Sequence, residues 1–243
     1  MKADQRFHFT EPISVVLPVC NEIGAIEAVC KNWTQVLSNL PSGSTIEFED
    51  GNSRDGTYAF LSEIAKKDSR FILKQSIKRD GFSAAIGRLL NNAKNDWVFV
   101  ADSDGQYHAS DILNFLYKWN PSVQFIKGIK INRQDGFFRR FFSFIMNRFI
   151  VTFLGLPFLD YNSSHYLIHK NVVKEISKNG WTFKNSINVE IALRTILSNF
   201  TYETVYIKHS TRAEGFSRGN PPIKFLVYGL GTIKDILSLK NQF

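Results

Sequence analysis

The chain has 243 residues, 44% hydrophobic and 21% charged, which describes a globular protein able to bury a sizeable core as one large or two small domains. Two cysteines, Cys20 and Cys30, are too few for a disulfide scaffold and fit a reducing compartment; the opening MKADQRFHFTEP lacks the apolar run of a secretory signal, so an intracellular protein is expected. A formal net charge of +8 calls for an anionic partner, and by itself does not choose among nucleic acid, anionic lipid and a phosphorylated small molecule.

In chain order, ISVVL at 13–17 has the continuous apolar character of a strand covered on both faces, extending to 19, and Pro18 stops it with Asn21 and Glu22 at its edge. A helix-like stretch at 22–38 leads to a strand at 45–50, which runs into the polar FEDGNSRDGT. There Asp50 is placed to accept hydrogen bonds from a base or ribose, and Ser53 and Asp55 to cap the helix expected over 55–68. A strand at 71–75 precedes RDGFSAAIGRLLNNA, a helix over 81–94 whose opening carries Gly81, Ala84, Ala85, Gly87 and Arg88. Small residues there permit close backbone approach and leave the helix N-terminus facing a diphosphate; helix packing explains the same residues. Strands at 96–102 and 122–128 enclose a helix at 109–119, completing the rhythm of βαβ units and predicting a mostly parallel sheet covered by helices. From about 137 the pattern changes to long apolar or amphipathic stretches with one more strand at 203–209. No internal repeat or low-complexity linker interrupts the chain.

The most informative stretch is ADSDGQYHASDI at 101–112. Asp102 and Asp104 follow directly on an apolar strand, which aims hard oxygen ligands into the crevice at the strand's carboxyl end. The local alternative is an Asp-rich turn. Because the ends of parallel strands lie on one rim, Asn21-Glu22, Asp50 to Thr57 and Asp102 to Asp104 are expected to converge on one crevice.

The order VVLPVCNE, DGNSRDGT, GFSAAIGRLLNNA, DSDGQYHASDI resembles the family 2 glycosyltransferases of the GT-A fold, a Rossmann-like α/β fold. Downstream, GIKINRQDGFFRRFFSFIMNRF, Asp160 in LDYNSSHYLIHK, Glu190 in INVEIALR and VYIKHSTRAEGFSRG extend the likeness toward the polyprenyl-phosphate branch, with coverage from about residue 13 to 220. The resemblance implies one catalytic domain over 1–243, with a nucleotide-sugar half at 1–128, an acceptor-side half at 129–220 and a C-terminal amphipathic helix at 221–243. It implies that Asp102, Asp104 and Gln106 hold Mg²⁺ or Mn²⁺, and that Pro18, Asn21, Glu22, Asp50, Asp102, Arg212 and Ser217 surround a UDP- or GDP-linked sugar. Arg139 and Ser143 match the motif that holds the acceptor phosphate, with Lys130 and Arg133 beside it, so that Asp104, Arg139 and Asp160 carry the catalytic role.

Three departures stand out. Lys130 replaces the usual Arg, keeping the charge and losing the planar fork. Gly51 takes the place of a second Asp, so one nucleotide-contact carboxylate is absent unless Glu49 substitutes. Ser163, Ser164, His165 and Tyr166 stand where relatives have Ser-Gly-Phe-Arg.

A lipid phosphate monoester, with a second pKa of about 6, is already an oxyanion at neutral pH and needs positioning more than deprotonation. Asp160 is then either a base or sugar-orienting carboxylate, or the cap of a turn. Glu190 either contacts the sugar or faces solvent. His165 and His169 share a helical spacing, but no third ligand accompanies them to make a zinc site; His108 and His209 read as ordinary polar residues.

The segment FFRRFFSFIMNRFIVTFLGLPFL at 137–159 is apolar but carries Arg139, Arg140, Ser143, Asn147 and Arg148, which opposes spanning a bilayer and favours an interfacial helix; a core helix with a basic edge is the alternative. Many relatives continue beyond PPIKFLVYGLGTIKDILSLKNQF into transmembrane helices, and this chain does not, so peripheral attachment to the cytoplasmic face of a membrane, with a possible membrane-protein partner, is expected. No nucleic-acid module is recognisable, and an Asp-rich rim repels a phosphate backbone, so nucleic acid is not expected as a partner.

Overall fold

The computed structural model describes residues 8–131, 137–157, 160–184, 186–208 and 222–240, with backbone only at 137–140, 142, 222–228 and 240. Seven strands form one sheet: β1 (Ile13–Val19), β2 (Thr45–Asp50), β3 (Phe71–Gln75), β4 (Trp97–Val100), β5 (Phe125–Ile131), β6 (Tyr166–His169) and β7 (Tyr202–Lys208), in the order β3-β2-β1-β4-β6-β5-β7. β1 pairs in parallel with β2 and β4, and β2 with β3, as the βαβ rhythm requires. β6 runs antiparallel between β4 and β5, and β7 lies parallel to β5 at the edge. The order reverses between β1 and β4, which makes their carboxyl ends the topological switch point where open α/β sheets bind ligands.

Helices α1 (Ile23–Leu37), α2 (Thr57–Lys67), α3 (Phe82–Asn92), α4 (Ile112–Lys118), α5 (Phe137–Leu154), α6 (Lys170–Ile176), α7 (Ile187–Leu197) and α8 (Pro222–Lys240) cover the sheet. Strand alternation divides the core in two. Ile13, Val15, Leu17 and Phe99 pack with Ile26, Trp33 and Phe115 on one face, while Val16, Val98 and Val100 pack with Ile86, Leu90, Ile191 and Ile236 on the other. Both faces of β1 and β4 are buried, which is why their sequences read as unbroken apolar runs.

Close approach of neighbouring atoms explains two glycines. A Cβ on Gly128 in β5 would lie 2.8 Å from the His165 carbonyl, which the Gly128 N–H reaches across to β6 at 2.8 Å. A Cβ on Gly87 in α3 would lie 2.7 Å from the Trp181 ring, so packing accounts for this glycine.

The expected strands at 122–128 and 203–209 stand close to β5 and β7, while β6 was not foreseen. Its Tyr166–His169 run is extended, which corrects the helical spacing assigned to His165 and His169. The His169 ring caps α6 by accepting the Asn171 N–H at 3.2 Å, and the buried His165 ring stacks on Tyr107 with centroids 3.8 Å apart.

Candidate active site

A cleft of about 250 Å³ opens at the switch point, lined by Pro18, which lies within β1 rather than stopping it, by Cys20 and Glu22 after β1, Gly51 after β2, Arg79 to Phe82 at the start of α3, and Asp102 to Asp104 after β4. Three strand ends therefore meet, as the rim argument expects, although of the second segment only Gly51 reaches the cleft and Asp50 to Thr57 otherwise stand behind it.

The loops after β1 and β2 are stitched together by side chain to backbone bonds. The Asn21 N–H donates to Ser53 Oγ at 2.8 Å, the Glu22 N–H to Thr57 Oγ1 at 2.9 Å, and the Arg54 N–H to Asn21 Oδ1 at 2.7 Å. Asp55 caps α2 as expected and serves α1 as well: its Oδ1 accepts the N–H and hydroxyl of Thr57, the first residue of α2, while Oδ2 accepts the Ile23 N–H of α1 at 3.2 Å. Asn21 adopts φ 52° to make this exchange and, unlike Pro18 and Glu22, does not line the cleft.

Asp50 ends β2 fully buried. One of its oxygens accepts the Ser53 N–H at 2.9 Å and the other has no hydrogen-bond partner among the described residues. Glu49 does not stand in for the carboxylate absent at Gly51: alternation turns it to the α3 face, where Arg88 pairs with it at 2.5 Å and the Ser76 hydroxyl donates at 2.8 Å. Arg88 also pairs with Asp80 and holds that carboxyl below its usual range.

Asp102 and Asp104 border the cleft. The Ser164 hydroxyl bonds to Asp102, Asp104 Oδ1 accepts the Gln106 N–H at 3.1 Å, and the Ser103 hydroxyl donates to the Pro18 carbonyl at 2.8 Å. Gln106 thus meets Asp104 through its backbone and does not line the cleft. No group of three His, Cys, Asp or Glu side chains gathers as a metal site among the described residues. Two carboxylates with room beside them form an open, all-oxygen donor set, which fits a hard divalent cation whose shell is completed by water and phosphate oxygens.

Of the residues expected to meet the acceptor, Asp160 is buried beside Lys127, Lys130 lies 5.7 Å over the Tyr107 ring, and Ser143 is half-buried on α5. Arg133, the Arg139 side chain, His209, Arg212 and Ser217 lie outside the described residues. Glu190 is fully buried and does not face solvent. Its carboxylate pairs with Arg194 at 2.6 Å and accepts the N–H groups of Thr182 and Phe183 and the Thr182 hydroxyl, which occupies both oxygens. The i,i+4 spacing of Glu190 and Arg194 was the sequence signal for this pair. Ser164 entered the sequence reading only as a departure from the family pattern, and Arg79 and Lys127 were not singled out; for Lys127 the signal is one lysine inside the apolar FIKGI.

The fold is that of the GT-A glycosyltransferases. Mannosyl-3-phosphoglycerate synthase from Rubrobacter xylanophilus superposes with a TM-score of 0.68 at 13% identity, covering 96% of this chain and 74% of that one. Glucosyl-3-phosphoglycerate synthase from Mycobacterium tuberculosis, in complex with Mn²⁺, UDP and glucosyl-3-phosphoglycerate, gives 0.68 at 18% identity, covering 94% and 79%. Residues 14–176 match glycosyl transferase family 2, and the chain belongs to that family. It is similar to the undecaprenyl-phosphate 4-deoxy-4-formamido-L-arabinose transferase of Edwardsiella ictaluri (strain 93-146), 26% identical over 224 residues that span 90% of this chain and 67% of that protein.

Proposed function

We propose that this glycosyltransferase moves a sugar, with inversion, from a UDP- or GDP-linked donor to a polyprenyl phosphate, and that the chain works as one catalytic domain. The observation that carries the reading is the Asp102–Asp104 pair bordering the switch-point cleft, opposite Glu22 and the first turn of α3. Similarity to an undecaprenyl-phosphate transferase supports the acceptor class.

Asp102 and Asp104 would hold Mg²⁺ or Mn²⁺, which when bound neutralises the diphosphate of the departing nucleotide as a Lewis acid. The N-terminal end of α3, where Gly81 and Phe82 line the cleft together with Arg79, favours the same anion. Pro18 and Glu22 line the nucleoside side, Asn21 and Asp50 steady the loops behind them, and the family resemblance assigns Arg212 and Ser217 to the phosphates. On the acceptor side Lys130, Arg133, Arg139 and Ser143 orient the lipid phosphate and Asp160 orients the sugar, so that the already ionised acceptor oxygen reaches the anomeric carbon in line with the leaving diphosphate.

No helix among the described residues is long and apolar enough to cross a membrane. Phe141, Phe144, Ile145 and Phe153 on α5 and Leu230 and Leu237 on α8 are exposed, which supports peripheral attachment of this face to the cytoplasmic leaflet, with or without a membrane-protein partner. Flotation with anionic liposomes at low salt tests the attachment, and no binding removes it from the reading.

The test of the reaction is transfer of label from UDP- and GDP-sugars to polyprenyl phosphate with Mg²⁺ or Mn²⁺. Labelled lipid that disappears with chelator and with Asp104→Ala is expected. Label that enters only glycan or water overturns the lipid acceptor.

A further inference from the structure

Lys127 is a lysine where core packing calls for an aliphatic residue. It sits in β5 with no exposed surface, between Phe125 and Ile129 on the face that packs against the second core, and opposite Tyr166 in the strand register. A buried ammonium is unfavourable unless hydrogen-bonded and paired. Its Nζ donates to the Ser163 carbonyl at 2.6 Å and lies 4.7 Å from the centroid of the Tyr166 ring. Burial draws the amine down to about 7, with the nearby Asp160 carboxylate opposing that fall and Lys130 adding to it.

The group that Lys127 grips belongs to a short segment tied at several points. The Ser163 N–H closes a turn on the Asp160 carbonyl at 3.0 Å, the Ser164 hydroxyl bonds to Asp102, and the His165 carbonyl accepts the Gly128 N–H at 2.8 Å. Residues 160–165 thus bridge β5 to the carboxylates at the end of β4. Lys127 is the side chain that anchors this bridge on the β5 side.

We propose that Lys127 is a positioning residue for sugar transfer: through the Ser163 carbonyl it holds the Asp160–Ser164 turn, and with it the Asp160 carboxylate and the Ser164–Asp102 bond, in register with the cleft. The inference rests on the reading of Asp160 and Asp102 as working groups under the proposed function.

Lys127→Met removes the donor and keeps the unbranched length. Because Lys127 does not line the donor cleft, and the loop that carries Asp102 is also fixed by β4 and by the Ser103–Pro18 bond, the variant is expected to bind UDP-sugar with a Kd within about twofold of the native protein, while kcat for transfer falls about 100-fold, the scale of a misplaced reacting group. Ser164→Ala releases the same bridge at its other end, so the double variant is expected to lose no more than the more damaged single variant. Native kcat in Lys127→Met, an equal loss of donor affinity and kcat, or multiplicative losses in the double variant each overturn the proposal. Should Lys127→Met not fold, Lys127→Gln takes its place; if neither folds, Lys127 is a stability element and the proposal fails. The native protein in the same assay tests the lipid acceptor separately, since the variant-to-native ratio is read equally well on a glycan acceptor. If the native protein transfers to neither, amide exchange decides: faster exchange confined to 160–166 in Lys127→Met supports the anchor, and an unchanged pattern overturns it.

Discussion

The rim of β1, β2 and β4 and the segment from β5 to α7 both gather acidic side chains, and they treat them in opposite ways. On the rim, Glu22, Asp102 and Asp104 border a cleft; the loop that presents Glu22 is held by Asn21, Ser53, Asp55 and Thr57 acting on backbone groups, and the loop of Asp102 and Asp104 by the Ser103 hydroxyl on the Pro18 carbonyl. In the second region Glu190 is sealed among Arg194, Thr182 and Phe183, where it fastens a loop to a helix. A carboxylate at the end of a parallel strand projects beyond the sheet, whereas one in a helix packed on the sheet must find partners within the protein.

On this contrast, the largest effect on stability comes from the sealed group. Glu190→Ala leaves Arg194 buried without its pair and is expected to cost about 3–5 kcal/mol in urea unfolding; a loss below about 1 kcal/mol would break the distinction. Asp104→Ala is expected to do the reverse, lowering sugar transfer about 1,000-fold, the upper range for loss of one electrostatic stabiliser, with unfolding free energy within about 0.5 kcal/mol of native. Gly128→Ala forces a methyl against the His165 carbonyl and is expected to cost about 1–3 kcal/mol, read as a lower thermal midpoint. Asp55→Ala removes the bond to the first turn of α1 and sharpens the account of the rim: a loss of about 1 kcal/mol is expected, with the donor Kd raised because Glu22 sits on the loop that Asp55 steadies.

Much of the first region was legible in the residues. The apolar strands, the small-residue opening of α3 and the Asp-Ser-Asp after β4 lie in continuous segments whose periods and turn residues report local structure. The second region was less so. β6 is four residues long between a polar turn and a helix, too short for alternation to declare it, and its antiparallel insertion depends on β4 and β5 being in place. Glu190 was placed on a helix, but the side it faces is set by the loop at 182–183, which no local pattern records.

By itself the sequence determined the family, the alternation of strands and helices through β5, and the carboxylate pair at the end of β4, because each is written in contiguous residues with a local physical signature. Only the tertiary structure decided that Asp55 caps α1 as well as α2, that Glu49 is committed to Arg88, that Glu190 is sealed, and that Lys127 reaches the turn that touches Asp102. These are meetings of residues far apart in the chain or choices between two faces of one element. Strand order, register and the direction of each side chain settle them when the sheet assembles.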